Sequence, residues 1–176
     1  MTIPPIVRDQ VRQRAHFACE FCGVSETDSG GDLTLDHFRP LAEGGSDNLD
    51  NLLYCCVRCN QYKSDYWPKD LDDLPLWNPL AEPATLHFFE MEDGGLHPLS
   101  QVGAFTLRRL RLNRPALLVN RLQRRRILDE LQLLARYRDL VHVLESLMIQ
   151  QTALIEEQQS LLKEQSELLK LLIDKR

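Results

Sequence analysis

Two CxxC pairs constrain this chain more than any other feature. Cys19-Glu-Phe-Cys22 and Cys56-Val-Arg-Cys59 are separated by 33 residues. A CxxC pair suits a tight knuckle that offers two thiolates, and two knuckles complete the tetrahedral set that one structural Zn²⁺ takes. The fold must therefore bring residues far apart in sequence to one point. Zinc accounts for the cysteines and leaves their neighbours unexplained. Asp36-His37, Pro40, Gly44-Gly45 and Asn51 lie between the pairs, Asn60 follows Cys59 directly, and Lys63 comes one helical turn later. An acid, an imidazole and two carboxamides have no role in a four-cysteine site. The fifth cysteine, Cys55, reads as a small buried strand residue.

In order and spacing these residues match the HNH endonuclease family, which residues 10–66 resemble. A weaker likeness runs to about residue 115, where Ser100 to Arg114, with its Leu-Arg-Leu-Asn-Arg run, is similar to a segment that follows the nuclease core in many small bacterial HNH proteins. One position departs from the family's name, because its last histidine is Asn60 here. That variant is common in the family and changes a metal ligand. The resemblance implies an α+β fold with a small ββα-metal core and a four-cysteine zinc knuckle.

It also implies a chemistry. Phosphodiester hydrolysis needs an activated water, a cation at the scissile phosphate and stabilisation of the leaving oxygen. The family assignment makes His37 the general base, since a neutral imidazole with a pKa of roughly 6.5 accepts a proton at neutral pH. Asp36 and Asn60 then hold Mg²⁺ or Mn²⁺ through oxygen. Asn51 tethers the loop and orients His37, and Lys63 faces a phosphate. Bland readings stay open: turn chemistry for Asn51, a solvated helix position for Lys63, and an exposed strand end for Arg39, whose other reading is a phosphate contact. His16, His87, His97 and His142 fit no ligand spacing, and Trp67 and Trp77 read as packing for the irregular stretch around them.

Charge is unevenly distributed. Residues 1–100 carry a balance of −10, residues 101–126 carry eight arginines and no acid, and residues 127–176 carry −3. Attraction to a polyanion must come from the arginines, so Arg108, Arg111, Arg121 and Arg124 are expected to contact DNA phosphates without reading sequence. A solvated basic helix is the alternative.

Three segments are expected: a nuclease domain over 1–100, an arginine-rich helical segment over 101–126, and a heptad helix over 127–176. Within the first, apolar periodicity predicts a helix over 6–18, strands at 33–37 and 52–55, and a helix over 56–66. Residues 68–83 read as an irregular wrap and 85–97 as a hairpin. Ser100 predicts the cap of a helix over 101–112, and Asn113-Arg-Pro115 ends it and starts the next.

Beyond Pro115 there is no further Gly or Pro, and Leu133, Leu140, Leu147, Leu154, Leu161 and Leu168 recur every seven residues, each followed by another apolar residue. Six heptads in step predict a coiled coil. With Leu134 at position a, position d holds Tyr137, Leu144, Gln151, Gln158, Gln165 and Leu172. The glutamines weaken a two-stranded seam, and the apolar row beside it widens the face toward three or more helices. Packing on the nuclease core is the alternative, although a helix of ~75 Å outruns so small a domain.

No apolar run approaches the about 18 residues of a membrane span, and MTIPPIVRDQ lacks a signal peptide's apolar stretch. A reducing cytoplasm is the expected setting for cysteines in metal-type pairs. The expected function is metal-dependent DNA hydrolysis, by a homo-oligomer or with a partner protein held through the coiled coil. The alternative is a zinc-organised nucleic-acid-binding or assembly module that does not cut.

Overall fold

The computed structural model describes residues 3–70 and 72–174, with side chains to residue 170. The side chain of Leu172, expected in the heptad seam, and the last two residues of the 127–176 segment lie outside the described residues. The chain divides into two compact units, Met1–Arg124 and Arg125–Arg176. The arginine-rich stretch to residue 124 is thus part of the first unit.

That unit has the expected mix of helix and strand. Helix α1 (Pro5–Arg14) begins on a proline, whose fixed φ suits a first helical position, and buries Val11. His16 and Phe17 adopt positive φ, 50° and 60°, and turn the chain into the first knuckle. Helix α2 (Glu26–Ser29) is a single turn closed by a Ser25/Asp28 capping box.

Strand β1 (Thr34–His37) pairs antiparallel with β2 (Leu52–Cys55), placing Asp36 opposite Leu53 and His37 opposite Leu52. All four residues of β2, Cys55 included, are buried. Helix α1 packs on β2, and α3 (Val57–Lys63) packs on β1. This strand–strand–helix unit is the expected ββα core. Its helix is shorter than predicted, because Ser64 takes a left-handed φ of 50° and ends it.

Beyond an irregular wrap, β3 (Phe88–Glu90) and β4 (Leu96–Pro98) form a hairpin. Helix α4 (Gln101–Arg109) starts where Ser100 Oγ accepts from Gly103 N at 2.9 Å. A Cβ on Gly103 would stand 2.3 Å from the His87 carbonyl, so only glycine lets α4 approach the hairpin this closely. Helix α5 spans Pro115–Asp174.

The core gathers Val11, Phe21, the whole of β2, Trp77, Leu110 and Leu117. Trp77 meets Phe21 and Phe88 edge-on, with centroids 6.3 and 5.3 Å apart. Its backbone N–H donates to Thr106 Oγ1 at 2.7 Å and its indole N–H to the Glu82 carbonyl at 2.9 Å. Truncating such an aromatic costs about 3–5 kcal/mol. Trp77 therefore pins the wrap to the core although the wrap has no regular hydrogen-bond ladder. His87 is buried in a polar relay, with Nε2 2.6 Å from Glu82 and Nδ1 2.7 Å from Ser100 Oγ.

Glu26 closes the other side. It accepts two hydrogen bonds from Arg12, at 2.5 and 2.7 Å, and one from the Tyr54 hydroxyl. These bonds, that from Arg12 foremost, hold its carboxyl down at about 2.

In the second unit, side chains 126–170 are exposed. Leu133, Leu140, Leu147, Leu154, Leu161 and Leu168 each expose more than half of their surface. No helix among the described residues is long and apolar enough to cross a membrane.

Candidate functional site

The two knuckles meet. The sulfurs of Cys19, Cys22, Cys56 and Cys59 all lie within 4.8 Å of one another, with Cys22 and Cys56 3.7 Å apart, and all four residues are buried. A tetrahedron with Zn–S of about 2.3 Å has S···S edges of about 3.8 Å, so the cluster suits zinc. Local backbone makes each knuckle. The first is closed by Gly23 N donating to the Cys19 carbonyl at 2.7 Å, with Gly23 at φ +75°. In the second, Cys56 caps α3, and its sulfur accepts from Cys59 N at 3.4 Å. Crowding splits the thiols: contact with Cys22 holds Cys19 well below the usual thiol range, and contact with Cys19 drives Cys22 and Cys59 well above it. Four sulfurs this close cannot all ionise without a cation among them.

Helix α3 carries the second set of candidates on its next turn. Asp36 and His37, at the end of β1, line one hollow of about 210 Å³ with Lys63 and Asp65. His37 Nε2 lies 2.7 Å from Asp47 Oδ1. With Asp47 ionised, the proton sits on Nε2 and the free lone pair on Nδ1, a tautomer inferred from this partner. Asp47 was not among the candidates read from sequence.

Asn51 holds the loop that carries Asp47. Its Oδ1 accepts from Arg39 N at 2.8 Å, and its Nδ2 donates to the carbonyls of Arg39 and Ser46 at 3.0 and 2.8 Å. The paired glycines follow from this closure. Gly44 has φ +82°, and a Cβ on Gly45 would stand 1.9 Å from the Arg39 carbonyl oxygen.

Lys63 departs from expectation. It is 1% exposed and, at the wall of that hollow, its ammonium is turned onto Asp36 and the His37 backbone rather than held free for a phosphate. Its ammonium donates to the His37 carbonyl at 2.7 Å and lies 3.1 Å from Asp36 Oδ2. A buried ammonium needs such partners, and these fix its direction. Burial pushes the Asp36 carboxyl up, and Lys63 opposes that shift. The ion pair is not a well-aligned hydrogen bond, so Asp36 Oδ2 remains a buried oxygen without one. Asn60 Nδ2 donates to Thr34 Oγ1 at 3.2 Å, a bond that leaves its Oδ1 for another use. A carboxylate and a carboxamide oxygen suit a hard divalent cation.

The arginines are largely engaged within the fold. Arg121, expected at the DNA surface, is 3% exposed and donates to the carbonyls of Gly94 and Leu112 at 2.8 and 2.6 Å. A guanidinium so placed satisfies backbone acceptors and has no free face for phosphate. Arg124 pairs with Glu90 at 3.5 Å, and Arg114 reaches the cysteine sulfurs. Arg109 stacks over Tyr66 at 4.1 Å, and Arg111 over Tyr62 at 4.9 Å. Arg108 and Arg111 remain exposed. Arg39 lies over Trp67, 5.3 Å from the ring centroid, beside the His37 loop. Of the two tryptophans, only Trp77 is in the core.

Residues 19–73 match the family described as HNH endonuclease. No curated protein and no solved structure matches the chain.

Proposed function

We propose that this HNH domain hydrolyses DNA phosphodiester bonds, with His37 as general base. The observation that carries the reading is the His37–Asp47 contact, on a strand end where Asp36 lines the same hollow. Asp47 keeps the proton on Nε2, so Nδ1 is the atom that takes a proton from the attacking water. Asn51 fixes the loop and therefore Asp47. Lys63 favours the ionised form of Asp36 and tethers the His37 carbonyl. Mg²⁺ or Mn²⁺ held by Asp36 and Asn60 would supply positive charge at the scissile phosphate and the leaving oxygen. Zn²⁺ held by Cys19, Cys22, Cys56 and Cys59 is structural and fixes the two ends of the core.

Approach to DNA rests on Arg39, Arg108, Arg111 and Arg124, with Arg121 assigned to folding. The exposed heptad face of the second unit is proposed to close on copies of itself. A repeat that stays in step over six heptads matches an identical helix without adjustment. The cytoplasm remains the proposed setting.

The test is supercoiled plasmid incubated with the purified chain, with Mg²⁺ or Mn²⁺ and with EDTA. Nicked or linear product that needs the added ion, and that His37→Ala removes while zinc content and fold stay intact, is the expected result. Undiminished cutting by His37→Ala would place the base elsewhere. Retention of DNA with no cutting under any divalent ion would favour the non-cutting binding module.

A further inference from the structure

We propose that Arg114 is the charge-compensating partner of the four-cysteine site, and that it ties zinc binding to the seating of residues 115–124 on the core. The inference rests on the zinc reading above. One nitrogen of Arg114, Nη2, lies 3.7 Å from Cys56 Sγ, 3.7 Å from Cys59 Sγ and 3.9 Å from Cys22 Sγ. Its other terminal nitrogen donates to the carbonyls of Leu110 and Arg111 at 3.2 and 3.3 Å, which fixes the plane of the group.

Four thiolates around one Zn²⁺ carry a net charge of about −2. Buried among apolar neighbours, that charge needs a cation nearby. The neighbouring arginines contact other groups: Arg109 and Arg111 stack on tyrosines, Arg121 bonds carbonyls, and Arg124 pairs with Glu90. Arg121 faces Cys22 electrostatically but makes no sulfur contact of this kind.

Position gives Arg114 its second role. It immediately precedes Pro115, the first residue of α5. The residues that follow continue the contact with the knuckles. Leu117 is 2% exposed, Asn120 lines the same hollow as Asp28 and Cys56, and Arg124 Nη1 stands 2.8 Å from where a Cβ on Gly23 would lie. Zinc binding displaces thiol protons and concentrates negative charge where Arg114 already sits. The start of the helix is thereby held by the loaded site. Unloading the site removes the charge that anchors it.

The experiment uses the full chain as wild type, Arg114→Met, Arg114→Lys and Arg114→Gln, with Arg126→Met as a control on the exposed helix. Zinc affinity is read by competition with a chromophoric chelator, and the sulfur-to-metal charge-transfer band is read after Co²⁺ substitution. Amide exchange at Leu117 is followed at saturating zinc. Arg114→Met and Arg114→Gln should each weaken zinc binding by about 10–100-fold, shift the cobalt band and speed exchange at Leu117. Arg114→Lys, which keeps the charge, should recover most of the affinity, and Arg126→Met should match wild type. If the Met variant does not fold, the Gln and Lys pair decides. Wild-type zinc affinity in Arg114→Gln, or equal weakness in Lys and Gln, would overturn charge compensation while leaving the zinc site intact. A wild-type chain without stoichiometric zinc would overturn the zinc reading and this inference with it.

Discussion

Replacing Asn51 should release the loop that carries Asp47 without unfolding the domain. Asn51→Ala removes three hydrogen bonds, at 2.8, 3.0 and 2.8 Å, that join Arg39, Ser46 and the loop between them. Net values of about 0.5–1 kcal/mol each, low because the bonds are solvent-accessible, sum to roughly 1.5–3 kcal/mol. At about 1.4 kcal/mol per factor of ten, the open form of the loop should gain one to two orders of magnitude in population. The direct assay is amide exchange. Arg39 N–H loses its acceptor and should exchange at least about tenfold faster, while the amides of Leu53 and Tyr54 in the buried strand keep their protection. Plasmid cutting should fall by a similar factor, because Asp47 no longer holds His37. Asn51→Asp sharpens the test. It keeps the acceptor for Arg39 N but sets a carboxylate oxygen against the Arg39 and Ser46 carbonyls, so it should be no better than alanine. Unchanged Arg39 exchange in Asn51→Ala would show that the loop is closed by something else.

Metal analysis should find about one zinc per chain, and stoichiometric zinc surviving Cys56→Ser with Cys59→Ser would remove the assignment. Glu26 sets an acid limit. Its folded pKa of about 2 lies below the 4.5 of a free carboxyl, so its contribution is complete above 4.5 and is lost as pH falls toward 2. Thermal unfolding of Glu26→Gln should be less dependent on pH in that window than wild type, and parallel curves would argue against it. Arg121→Ala should lower stability, whereas Arg108→Ala with Arg111→Ala should cost less, limited to the loss of the Arg111–Tyr62 stack, and weaken DNA binding equally across sequences, read from its salt slope. Equal thermal shifts in both would refute the division. Ending the chain after residue 124 should abolish any oligomer seen by light scattering while keeping zinc, and an unchanged mass ratio would clear the heptad face of that role.

Much of the core was legible because its signals are local. CxxC spacing, the Asp-His strand end, the Ser100 cap and the Pro115 start each act within a few residues, and each appears at or near its expected place. What sequence reading missed depends on reach across the fold. Asp47 follows Gly44-Gly45-Ser with nothing to mark it, and only the closed loop aims its carboxylate at His37. Lys63 has the spacing of an outward helix residue, but the buried Asp36 draws it inward. Arg114 and Arg121 are indistinguishable by composition from phosphate-binding arginines, and the sulfur cluster and two backbone carbonyls of the core use them instead. The Ser25-to-Asp28 pattern is a cap signal for α2, but a single helical turn has no apolar periodicity to accompany it.

Helix α3 behaves as a short axle. Cys59 and Asn60 are consecutive, so their side chains leave the axis about 100° apart, one toward the sulfur cluster and the other toward β1. Rotation moves both together. At a side-chain radius of about 5–6 Å, a turn of roughly 20° carries either tip through about 2 Å, well outside the about 0.5 Å tolerance of a productive site. Zinc held by the four cysteines would thus act as a detent on the angle of the axle. Chelation strong enough to free Cys59 should misalign Asn60 long before the strands part, and loss of cutting would then precede loss of fold.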